Sequence, residues 1–81
     1  MSSTIISLRR LGKRADELLS HMDERLAEEY GDAYLGVRTG GGPQCANVHL
    51  RPGINREAAQ HRVGAFFSEI SPDWEDHVAL E

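Results

Sequence analysis

Eighty-one residues, with 9 Lys and Arg against 13 Asp and Glu, carry a net charge of −4, and 40% of the side chains are hydrophobic. A chain this short makes one small domain that buries about 60% of its unfolded surface, so its core is thin and an enclosed active site finds little room. One cysteine excludes an internal disulfide and a cysteine-based zinc site and fits a reducing cytoplasm, and no apolar run reaches the ~18 residues of a membrane span.

In chain order, Thr4 to Leu8, "TIISL", is β-branched and apolar and reads as a short strand. Leu8, Leu11, Ala15, Leu18 and Met22 also fall at helical spacing, so one helix across residues 4–30 stays open as the alternative. Gly12 weighs against it, because glycine costs a helix interior ~1 kcal/mol relative to alanine. From about Lys13 to Tyr30 an amphipathic helix is expected, with Ala15, Leu18, Leu19, Met22, Leu26 and Tyr30 as its apolar stripe and Gly31 at its end.

"AYLGVR", Ala33 to Arg38, alternates Leu35 and Val37 against Tyr34, Gly36 and Arg38. "CANVHLR", Cys45 to Arg51, alternates Ala46, Val48 and Leu50 against Cys45, Asn47, His49 and Arg51. Such period-2 patterns mark half-buried strands, and the glycine run between them makes an antiparallel hairpin the simplest reading. After the turn residues Pro52-Gly53, Asn55 is placed to cap a second helix from Arg56 to about Ile70. Its apolar face holds Ala59, Val63, Phe66, Phe67 and Ile70. Pro72 restarts a short terminal helix or turn, and Trp74 is expected to fold back onto Val63, Phe67 and Ile70. Leu80-Glu81 has the look of a cloning scar and carries no weight. The sum is a single α+β domain over residues 1–81 of order β-α-β-β-α, a three-stranded open sheet with two helices packed on one face.

No motif for chemistry stands out. "RTGGGPQC", Arg38 to Cys45, lacks the Lys-Ser or Lys-Thr and the following helix of a phosphate-binding loop, and Pro43 has no amide proton to donate. His21, His49, His61 and His77 show no metal-ligand spacing, and Cys45 has no local histidine or second cysteine to activate it. No enzyme activity, metal or cofactor is therefore expected. With Leu35, Val37, Val48 and Leu50 turned to the helices, the open sheet face would carry Arg9, Tyr34, Arg38, His49 and Arg51. These are cations for phosphates and a ring for stacking, as in small modules that hold single-stranded nucleic acid. The plainer alternative is that these polar groups only protect an uncovered sheet.

The layout resembles the DinI family, small bacterial, phage and plasmid proteins that modulate the RecA filament in the DNA-damage (SOS) response. The resemblance spans about Thr4 to Trp74. It rests on a leading strand, a helix "ADELLSHMDERLAEEYGD" ending in Tyr30-Gly31-Asp32, a strand closing in "GVR" at Gly36–Arg38, a small-residue hairpin and a helix with late aromatics. It implies a β-α-β-β-α fold and docking on a RecA-type filament through acidic residues of the second helix and C-terminus. Carried over by position, these are Glu57, Glu69, Asp73, Glu75 and Asp76. Arg56, His61 and Arg62 depart from an acidic ridge. The expectation is a cytoplasmic, non-enzymatic interaction module, a monomer or weak dimer. Single-stranded nucleic-acid binding through the sheet is the second reading, and a phage or mobile-element interaction or virion-assembly protein is the third. The third gains if residues 4–30 form one helix.

Overall fold

A computed structural model describes residues 3–81, and Met1 and Ser2 lie outside the described residues. The ambiguous segment is a strand, β1, at Thr4–Arg9. Ile6 and Leu8 point into the core opposite Val48 and Ala46, and Arg10 then takes a φ of 56°, which turns the chain before any helix starts. Helix α1, Ala15–Tyr30, buries Ala15, Leu18, Met22 and Leu26. Gly31 stops it at φ 55°, a conformation open to glycine without Cβ strain. After a single 3₁₀ turn come β2, Tyr34–Thr39, and β3, Ala46–Leu50. Helix α2, Arg56–Ile70, begins where Asn55 Oδ1 accepts the Ala58 amide at 2.8 Å. A second 3₁₀ turn, Trp74–Asp76, leads to β4, Ala79–Leu80.

The sheet has four antiparallel strands in the order β2-β3-β1-β4, one more than the sequence pattern predicts. Ala79 pairs with Arg9 and Leu80 with Leu8, while Ser7 and Glu81 exchange two backbone hydrogen bonds at 3.2 and 2.9 Å. The residues set aside as a scar are thus an edge of the sheet. A two-residue strand has no period to read. It forms because Trp74 and buried Val78 anchor the segment that delivers it.

Both helices cover one face, as expected. They bury Ile6, Leu8, Ala46, Val48 and Leu50 against Ala59, Val63, Phe66, Phe67 and the stripe of α1. Trp74 folds back as predicted, its ring 5.4 Å from that of Phe67. Ile70 does not join the core and is 38% exposed, because α2 ends there and the chain turns away at Ser71.

The alternation in β2 is interrupted. Tyr34 pairs with Leu50 and Gly36 with His49, so Leu35 is the extra residue of a β-bulge. Leu35, predicted inward, is 44% exposed. Tyr34, predicted on the open face, turns to the helix side, where its hydroxyl donates to Asp23 of α1. The "GGGPQC" loop is the hairpin turn expected, closed by Gly40 N–H to Cys45 O at 3.3 Å. Its tip is tied down, since Leu11 N–H donates to Gln44 O at 3.0 Å.

Candidate functional site

Two surfaces hold the residues that the sequence singles out. On the open sheet face, the register places Ile5, Ser7, Arg9, Arg38, Asn47 and His49 opposite the buried positions, with exposed Arg51 just past the end of β3. Arg9 is drawn into an ion pair with Glu81 at 2.7 Å, and Tyr34 has left this face for Asp23. Burial, and next the Asp23 carboxylate, push the Tyr34 phenol well above its ordinary range, so it remains a hydrogen-bond donor. Arg38, His49 and Arg51 remain together, without the ring that a stacking platform needs.

The acidic candidates divide into two groups. Glu69 is committed to the seam between the helices. His21 Nε2 donates to it at 2.7 Å and Arg25 Nε at 3.1 Å, and Arg25 also meets Glu28 at 3.0 Å. Further along, Arg62 pairs with Glu29 at 2.7 Å. Arg25 and Arg62 both lie over the Phe66 ring, at 5.0 and 4.8 Å from its centroid. Two of the α2 cations that break an acidic ridge, Arg56 and Arg62, thus have partners within the molecule. Arg62 closes this seam, and Arg56 Nε donates to the Ile5 carbonyl at 3.0 Å, beside the short β4 edge. The His21 hydrogen bond, then Arg25, holds the Glu69 carboxyl below its ordinary range. Asp73 is also engaged: it accepts from the Ser71 hydroxyl, which lowers its pKa, and lies 3.6 Å from His77.

Glu57, Glu75 and Asp76 form the second group. They make no ion pair among the described residues and face solvent. Glu57 and Glu75, 18 positions apart, line one open groove of about 590 Å³ between the outer face of α2 and the C-terminal turn. Gln60, His61, Gly64, Ala65, Ser68, Trp74 and Leu80 complete its lining. Arg10 lies in the adjoining recess with Trp74, Glu75 and Leu80. Gly64 sets the floor: a Cβ there would stand 3.3 Å from Trp74 Cζ2, so the indole lies directly against the helix. Sequence reasoning missed Gly64 and Leu80. A glycine in a helix interior is the one available signal of such close approach, whereas Leu80 carries none.

Among the described residues, no group of three His, Cys, Asp or Glu is placed to hold a metal ion, and no helix is long and apolar enough to cross a membrane. The arrangement offers an open groove of mixed polar and apolar lining, at which Glu57 and Glu75 make no ion pair among the described residues. Compared with known protein families, curated proteins and solved structures, the chain matches none of them.

Proposed function

We propose that this chain is a non-enzymatic interaction module that docks on a basic protein surface through Glu57, Glu75 and Asp76, and that a RecA-type filament is the partner to test first. The observation that carries the reading is the gathering of Glu57 and Glu75 at one open groove, unpaired, while Glu69 and Asp73 are held by neighbours. Unpaired carboxylates at a rim lose no internal partner on docking, and they steer encounter and orientation more than they add affinity. The RecA assignment rests on the DinI-like sequence pattern, which the two-helix α+β architecture accommodates. The docking set is narrower than that pattern implies, since Glu69 is occupied between the helices.

Co-sedimentation with RecA–single-strand filaments at low salt tests the reading. The native chain should bind, with affinity falling as salt rises. Glu57→Gln/Glu75→Gln/Asp76→Asn should weaken binding by about 3- to 150-fold and flatten the salt dependence, three exposed charges at ~0.2–1 kcal/mol each being lost. Failure of the native chain to co-sediment at low salt rejects the RecA assignment.

A further inference from the structure

We propose that the groove beside α2 seats an arginine-bearing basic segment of a protein partner, one guanidinium lying on the Trp74 indole beside Glu75 and a second cation reaching Glu57. The inference rests on the partner-binding reading and narrows it to one contact chemistry.

Three observations converge on that occupant. First, the Trp74 ring is held from two sides, by Phe67 at 5.4 Å between centroids and by the bare backbone at Gly64. It stays half-buried and lines both the groove and the adjoining recess. A ring fixed in advance loses little conformational freedom when a ligand arrives. A planar guanidinium stacks on such a face while its N–H groups still donate to a carboxylate, which a compact ammonium does less well.

Second, the charges are placed for a cation rather than an anion. Glu57 and Glu75 line the groove with no ion pair among the described residues; of the other glutamates only Glu24 is likewise without one there, and Glu17, Glu28, Glu29, Glu69 and Glu81 are each paired. A phosphate or an acidic peptide would meet this rim at a cost, and a basic segment relieves it. Arg10 sits past Trp74 in the adjoining recess, beyond ion-pair distance of Glu75, and leaves that carboxylate available.

Third, the dimensions suit a short segment. Glu57 precedes Gly64 by two turns of α2, roughly 10 Å at ~1.5 Å per residue. Three to four residues of extended chain span that distance at ~3.3 Å each. Gly64, Ala65 and Leu80 provide an apolar floor for the side chain between the two cations. The volume of about 590 Å³ lies within the ~300–1,000 Å³ usual for ligand clefts.

Trp74 is the one tryptophan of the chain, so fluorescence excited selectively at tryptophan, to the red of the absorption of Tyr30 and Tyr34, reports on the surroundings of this ring. The full chain is titrated at low salt with a capped peptide of arginines alternating with leucine, and with its citrulline counterpart, which keeps the shape and removes the charge. The arginine peptide should change Trp74 emission in a saturable way. About tenfold weaker responses are expected from the citrulline peptide and from Glu57→Gln/Glu75→Gln, a variant whose circular dichroism and unfolding midpoint should match the native chain. No emission change at millimolar peptide overturns the proposal, as does an equal response to citrulline. The filament assay is a separate arm. Filament binding without any arginine-peptide response removes the groove contact and leaves the docking reading. An arginine-peptide response without filament binding removes RecA and keeps the groove.

Discussion

Tyr34 shows how far one extra residue in a strand redirects a side chain. The bulge at Leu35 flips the alternation, so the phenol that would have faced solvent on the sheet reaches Asp23 on the helix side. Its neutral form is favoured by burial and by the adjacent carboxylate, and Tyr30 is raised more simply, by burial first. A raised folded pKa means that the stabilisation is complete below the ordinary value of 10.0 and is lost as pH climbs through the folded value. In the folded protein, ultraviolet absorbance should therefore show both tyrosines ionising above pH 10, Tyr34 last. In denaturant both should return to about 10. Coincident folded and unfolded titrations would contradict the Asp23 contact. Alternation alone could not reveal this site, because a bulge is set by backbone freedom at Gly36 and by pairing with β3.

The helices are the elements that the sequence describes best. The apolar stripe of α1 and the Asn55 start of α2 are visible as spacing and as one capping residue, and both are local properties. Asn55→Ala should lower stability by about 1 kcal/mol in urea unfolding, with an unchanged m-value, through loss of the bond to the Ala58 amide. What joins the helices is not local. Arg25, Glu29, Arg62 and Glu69, with a hydrogen bond from His21, make a polar seam across Phe66 between residues more than thirty positions apart, and no periodicity announces it. Glu69 has a depressed pKa, so its contribution is present above the ordinary 4.5 and disappears as pH falls through the folded value. Glu69→Gln should be less stable than the native chain at neutral pH, and the difference should close well below pH 4.5. A difference that persists unchanged in acid would show that Glu69 acts by packing rather than charge. High salt should shrink the same difference, since the seam is largely exposed.

At the scale of the whole molecule, the final strand decides how the sheet is finished. One edge is closed by only two residues, Ala79 and Leu80, with Arg56 bonded to the Ile5 carbonyl beyond them. Short edge strands and edge cations are ways to discourage pairing with other chains. Removing residues 79–81 strips the Ser7 backbone of its partners, removes the Arg9 ion pair and uncovers half-buried Leu80's packing site. The loss should be about 1–2 kcal/mol from partial leucine burial and ladder bonds. For a domain of this size that is a fall in Tm of roughly 4–16 °C. Concentration-dependent light scattering should accompany it as the β1 edge opens. An unchanged Tm would mean that β4 is only draped on the sheet.

By itself the sequence determined what short-range physical chemistry dictates. Two amphipathic helices with their caps, a glycine-rich hairpin and a core of alternating Val, Leu and Ile beside Phe66 and Phe67 all follow from period and turn chemistry within a few residues. It also displayed five acidic candidates on α2 and the C-terminal turn, with no means of ranking them. Tertiary structure separates them by partner. Glu69 and Asp73 found partners across the fold, while Glu57 and Glu75 met at one groove floored by Gly64 and Trp74. The same packing made Leu80 a strand and moved Tyr34 to the helix side. The reason is common to all of these. Which charge is free, which strand is an edge and which face a ring takes depend on residues far away in the chain, and those meet only once the core has closed.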